Sequence, residues 1–140
     1  MILKSIKLNN IRSYKEEEIK FPQGSIMLSG DIGAGKSTIL LAAEFALFGI
    51  RNDLKGETLL RHGASEGYVE LNLDIDGNDI IIRRNLKRKK QGIQQDAGHI
   101  IINGKRYDLT AVELKSRIFE ILGYPRELVS KSSSLIYRYT

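Results

Sequence analysis

Cysteine is absent from all 140 residues, which rules out disulfides and thiolate metal sites and fits a reducing cytosol. Long apolar runs are missing too. The longest, Ile39 to Phe48, is interrupted by Glu44 and falls short of the roughly 20 residues needed to span a bilayer. Met1-Ile2-Leu3-Lys4 alternates apolar and polar residues, unlike a signal peptide. A cytoplasmic protein with no membrane partner is expected. No internal repeat is visible. No Asn-Lys-x-Asp motif occurs, so a guanine-reading GTPase is disfavoured. No Asp-Glu pair occurs anywhere either.

What is present suits one domain with a real core: 41% of residues are hydrophobic and 28% charged, both usual for globular chains. The net charge of +5 is uneven. Between Arg83 and Lys90 only Asn85 and Leu86 are not basic. Such a cluster is either a solvated hairpin or a dock for nucleic-acid phosphates. No aromatic residue interleaves it, so base stacking is not expected.

Ile2 to Asn9 alternates and predicts a strand. Glu16 to Phe21 predicts a second, closed by Pro22-Gln23-Gly24, and Ser25 to Ser29 a short buried one. A helix is expected from about Lys36 to Phe48, capped by Gly49. Residues 50–67 show no period and predict a loop. Tyr68 to Ile75 and Asp79 to Arg84 predict strands around the turn Asp76-Gly77-Asn78. Lys87 to Gly98 is polar and predicts a mobile hairpin tip. His99–Ile102 and Lys105–Tyr107 flank Asn103-Gly104, a strong hairpin signal. Thr110 and Glu113 have capping-box spacing, so a helix should run to Leu122 and stop at Gly123. Pro125 can open a short helix, and Leu135 to Tyr139 predicts a last strand. Together these give an α/β lobe: a mixed sheet around the Lys36–Phe48 helix, plus an antiparallel sheet over 68–108.

The segment Gly30-Asp31-Ile32-Gly33-Ala34-Gly35-Lys36-Ser37 matches Gly, four residues, Gly-Lys-Ser, between an apolar run and a helix, the context a phosphate-binding loop requires. Gly33 and Gly35 let successive N–H groups point at phosphate oxygens. The helix brings its free N–H groups and positive end to the same place. Lys36 would reach the β- and γ-phosphates, the Ser37 hydroxyl would ligate Mg²⁺, and Thr38 would donate to the α-phosphate. A hydrolysing enzyme of this class usually also needs a carboxylate at the end of a second apolar strand. Asp74 and Asp76 sit at solvent-face or turn positions. The chain is therefore equipped to bind ATP and poorly equipped to hydrolyse it alone. Leu28-Ser29-Gly30 superficially matches an ABC signature motif but overlaps the phosphate loop and cannot serve both roles.

Asn10-Ile11-Arg12-Ser13-Tyr14, followed about twenty residues later by the phosphate loop, resembles the opening of SMC-like ATPases. Leu60-Arg61-His62-Gly63-Ala64 and the strand after it resemble the Rad-fifty/SbcC group of DNA double-strand-break repair ATPases. The resemblance covers essentially the whole chain. It implies a P-loop NTPase fold: the N-terminal lobe, residues 1–140, of an ABC-type head. A coiled coil with a zinc-binding apex and a C-terminal lobe with the signature motif and the Asp-Glu pair would lie elsewhere. Two heads would sandwich ATP and work with an Mre-eleven/SbcD-type nuclease on double-stranded DNA, in a nucleoid-associated protein. A Mg²⁺-binding glutamine expected after the last strand does not occur by Thr140, which implies a fragment or one half of a two-chain head.

Carried over by position, Arg12 would approach the phosphates with Ser13 beside it. Ile32, Gly33, Ala34, Gly35, Lys36, Ser37 and Thr38 would wrap them, and Arg61 and His62 would lie near the base or ribose. Asp31 and Ile32 replace residues, often glutamine and asparagine, that are frequent there in the family, which puts in doubt a side-chain role across a dimer interface. Lys87, Arg88, Lys89 and Lys90 would contact DNA phosphates without reading sequence. Another SMC- or RecF-type machine, a self-contained P-loop kinase, a DNA-binding module with a vestigial loop, and a transporter ATPase are the competing readings. The intact Lys36 and Ser37 oppose the vestigial loop, and the Arg12-Ser13-Tyr14 opening opposes the transporter.

Overall fold

The computed structural model describes residues 2–21, 34–50 and 54–123, with side chains from Thr38 onward in the second stretch. The strand expected over 25–29, the loop residues Gly30 to Gly33, the helix at Pro125 and the strand over 135–139 lie outside the described residues.

The chain opens with β1 (Ile2–Ile11) and β2 (Tyr14–Lys20), then α1 (Ala34–Phe48) and the single turn α2 (Gly56–Leu59). Four strands follow, β3 (Glu66–Ile75), β4 (Asn78–Lys89), β5 (Gly92–Ile102) and β6 (Lys105–Leu109), before α3 (Ala111–Leu122). The described strands form one sheet in the order β2-β1-β3-β4-β5-β6, antiparallel throughout. β1 and β2 therefore extend the 68–108 sheet rather than standing apart from it. The strand expected to lead into α1 falls among the residues not described.

Alternation sets the sheet's two faces. On the inner face, Ile6, Leu71, Ile82 and Ile100 stand in one cross-strand row, all buried. Against it pack Phe45, Leu47 and Phe48 of α1 and Leu114, Ile118 and Phe119 of α3. Two hairpins turn in two residues, Asp76-Gly77 (φ 53 and 83) and Asn103-Gly104 (φ 48 and 87). Positive φ at both positions matches the right-handed twist of the strands, which is why Asp-Gly and Asn-Gly read so clearly.

Two expectations are corrected. Lys87 to Gly98 is a paired ladder, not a mobile tip: Lys89 pairs with Gly92, Arg88 with Ile93, Lys87 with Gln94 and Leu86 with Gln95. The segment is polar because only Leu86 and Ile93 reach the core there, so the apolar half of the alternation is thin. Residues 50–67 are more than a loop. Leu54, Leu59 and Leu60 are buried, α2 lies among them, and Leu60 bridges to Ile11. Four residues of helix are too few for a period to register.

Candidate functional site

Helix α1 starts at Ala34, two residues before the Lys36 expected from sequence and inside the glycine motif itself. Ala34, Gly35, Lys36 and Ser37 are therefore its first turn, where backbone N–H groups have no partner within the helix. No acidic side chain sits in that turn, and the positive end of a helix favours an anion. Thr38, the first residue with a described side chain, is 2% exposed. The donor set suits a nucleotide phosphate with a hard cation: backbone N–H groups, an ammonium and hydroxyls. Among the described residues no cluster of His, Asp or Glu could hold a metal by itself.

At its other end α1 is held by a residue the sequence reading placed elsewhere. Arg84 was grouped with the basic cluster, yet it is 1% exposed. Its Nε donates to the Ala46 carbonyl at 2.7 Å and its Nη2 to the Leu47 carbonyl at 3.3 Å. It occupies the inner-face parity of Ile80, Ile82 and Leu86, and that alternation was the available signal. Burial pulls its pKa down to about 9, so it remains a cation at neutral pH, facing the negative end of the helix. A shift in register between Arg83 and Asn85 accompanies it. Gly98 opposite is obligatory, since a Cβ there would meet the Arg83 carbonyl at 2.1 Å.

The two short motifs that the resemblance singled out meet in space. The turn after β1 carries Arg12 and Ser13, both exposed. It is bonded to the segment after α2: the Arg12 N–H donates to the Leu59 carbonyl at 2.8 Å and the Arg61 N–H to the Asn10 carbonyl at 2.8 Å. The Arg61 guanidinium donates to the carbonyls of Ser13 (2.8 Å) and Arg12 (3.2 Å). His62 is exposed in the turn that follows. Arg12, Ser13, Arg61 and His62 thus form one surface cluster.

The hairpin carries Lys87, Arg88, Lys89 and Lys90, all exposed. They are not equivalent. The Arg88 N–H donates to the Ser65 carbonyl at 2.8 Å and its Nε to the Ala64 carbonyl at 2.9 Å, which ties the hairpin to the loop after His62. Arg83 leaves the cluster as well: its guanidinium lies 3.7 Å from the centre of the Tyr68 ring on the sheet's outer face. There it belongs to a cross-strand row, Glu18, Lys7, Glu70, Arg83, His99 and Asp108, in which opposite charges alternate from Glu18 to Arg83. Lys7 reaches Glu70 at 3.6 Å. Opposite charges facing one another support the pairing that the buried face sets.

Residues 5–136 match the protein family described as AAA domain. The DNA double-strand break repair Rad50 ATPase of Methanocaldococcus jannaschii is 35% identical over 132 residues, 94% of this chain and 13% of that protein. The Rad50 ATPase of Thermoplasma acidophilum is 38% identical over 104 residues, 74% of this chain and 12% of its own. The chain thus spans about an eighth of the length of these curated relatives. Among solved structures, one from work on ATP-driven dimerization and DNA-stimulated activation of SMC ATPases superimposes with a TM-score of 0.61. It is 22% identical and covers 90% of this chain and 82% of its own. RecF bound to ATP, also 22% identical, superimposes with a TM-score of 0.55 over 76% of this chain and 27% of its own. These two likenesses concern the fold. The family match over nearly the whole length shows that this chain belongs to the AAA domain family, with a fold like that of the SMC-ATPase structure.

Proposed function

We propose that this lobe binds Mg-ATP within an ATPase that acts with a nuclease in DNA double-strand-break repair, ATP driving head dimerisation and DNA binding. The observation that carries this reading is the start of α1 inside the glycine motif, which aims the free N–H groups of its first turn at a phosphate. Ile32, Gly33, Ala34 and Gly35 wrap the phosphates and Lys36 reaches the β- and γ-phosphates. The Ser37 hydroxyl holds Mg²⁺, which neutralises phosphate charge when bound, and Thr38 serves the α-phosphate. Arg12 faces the phosphates with Ser13 beside it, and His62 borders the base or ribose, with Arg61 near it behind the Arg12 turn.

Residues 1–140 are, in this reading, half of a split head. A coiled coil with a zinc-binding apex and a C-terminal lobe complete it, and catalysis needs that lobe and a second head. The partners are an Mre-eleven/SbcD-type nuclease and double-stranded DNA, in the cytoplasm at the nucleoid. Support for the split comes from the missing Asp-Glu pair and from relatives about eight times longer. Turnover is expected only when the chain is mixed with its C-terminal lobe; robust Mg-ATP hydrolysis by residues 1–140 alone would overturn the split-head reading. DNA contact falls to Lys87, Arg88, Lys89 and Lys90, whose reversal to Glu should weaken DNA binding at low salt and leave ATP affinity intact. Arg88→Glu should also cost stability, because it breaks the contact with Ala64. DNA affinity unmoved by these reversals would leave the hairpin a solvated tip.

A further inference from the structure

The turn after β1 adopts a backbone that its residues do not favour. Asn10 (φ 53) and Arg12 (φ 51) both occupy the left-handed region. Asparagine tolerates that region because its short side chain bonds locally, whereas arginine has no such compensation. Conformations of this kind persist where the surroundings over-determine them, and they gather at functional sites.

Here the surroundings are residues 59–67. The backbone bonds of Arg12 to Leu59 and of Arg61 to Asn10 are joined by Asn10 Nδ2 donating to the Glu66 carbonyl at 2.9 Å. Gly67 lies so close beneath that a Cβ would meet the Asn9 carbonyl at 2.5 Å. Closing the set is Arg61, whose single Nη1 donates to both the Ser13 and Arg12 carbonyls. A guanidinium on two carbonyls makes charge-assisted bonds. Arg12 differs: its guanidinium is exposed and makes no hydrogen bond or ion pair among the described residues.

We infer that Arg61 is a positioning residue. It holds the Arg12–Ser13 turn in its left-handed form so that the Arg12 guanidinium is presented to the nucleotide phosphates, and it does not itself touch the nucleotide. This rests on the assignment of Arg12 to the phosphates made above. Arg61 has committed Nη1, one end of its fork, to backbone oxygens that no nucleotide would replace.

A double-mutant cycle on Mg-ATP affinity in the full-length protein tests this, with the melting temperature of each variant measured alongside. Arg61→Met keeps the apolar stem and removes the donors. Arg61→Met and Arg12→Ala should each weaken Mg-ATP binding by roughly tenfold or more, the scale of one charged hydrogen bond. The double variant should bind no more weakly than Arg12→Ala alone, because the brace then has nothing to present. Arg61→Lys should recover part of the affinity. Single effects that multiply in the double variant would overturn the inference by making Arg61 an independent contact, and so would an Arg61→Met variant with wild-type affinity. Should Arg61→Met fail to fold, the cycle is run with Arg61→Lys: its partial loss should vanish in the Arg12→Ala background, and persistence there overturns the inference. Wild-type affinity in Arg12→Ala would overturn the phosphate assignment itself, and the brace with it.

Discussion

Helices α1 and α3 are finished in opposite ways. α3 closes on its own neighbours: the Thr110 hydroxyl accepts from the Glu113 N–H at 3.2 Å, and the Glu113 carboxylate accepts from the Thr110 N–H at 2.9 Å. That second bond is what holds the Glu113 carboxyl below the usual carboxylate range. At its far end Gly123 (φ 73) turns back to bond Phe119 and Glu120. α1 has a local stop too, since the Gly49 N–H (φ 76) reaches the Phe45 carbonyl at 2.7 Å. Yet its last turn holds no basic residue, and the cation that serves it is Arg84, 38 positions from Ala46. Gln95, 45 positions from Ile50, accepts the next N–H at 3.2 Å. The helix that only packs is completed by its own sequence. The helix that carries the phosphate motif is clamped at its rear by the sheet.

Separating these two ends of α1 sharpens the contrast most. Arg84→Ala should cost about 3–5 kcal/mol, combining a large cavity with two carbonyls left buried and unpaired, read as a lowered denaturant midpoint. Lys36→Ala should leave that midpoint near wild type while weakening Mg-ATP by roughly a hundredfold, the scale of removing one member of a desolvated charge pair. If Arg84→Ala proved as stable as wild type, the clamp would be only a packed cation. A Lys36→Ala variant with wild-type nucleotide affinity would remove the phosphate site. At α3 the expected cost is smaller: Thr110→Ala should lose about 1 kcal/mol, typical of an N-cap. A loss as large as that at Arg84 would mean that the local and remote caps do not differ in weight.

The same contrast explains what could be read from sequence. The capping box, the Gly123 stop and both two-residue turns are signals within five residues, and each reappears where expected. The meeting of Arg12 with Arg61 was not read from the sequence, because it joins segments 48 to 49 positions apart; the resemblance placed the two at different parts of the nucleotide. Arg84 was misplaced because six basic residues in a run read as one surface, although strand alternation sends Arg83 and Arg84 to opposite faces. The ladder over 87–98 was missed because its pairing is made by backbone groups, which composition does not report. For the phosphate loop the motif told more than the fold does, since Gly30 to Gly33 lie outside the described residues.

The two histidines extend the comparison to pH. His62 is exposed in its turn, whereas His99 is 8% exposed and sits in the outer-face charge row. Burial holds its pKa below the ordinary 6.5, and the Arg106 and Arg83 cations push the same way, against the weaker pull of Glu70, 3.9 Å away, and Asp108. A folded-state pKa below the unfolded one means that the unfolded chain takes up the proton first as the pH falls. Stability is therefore lost on descending from about 6.5 through the folded value, and is fully present above that window. The slope cannot exceed one proton's worth, about 1.4 kcal/mol per pH unit, and it acts only within that window. His99→Gln should flatten the dependence of melting temperature on pH below neutrality. An undiminished dependence in that variant would mean that burial of His99 in the charge row does not set it.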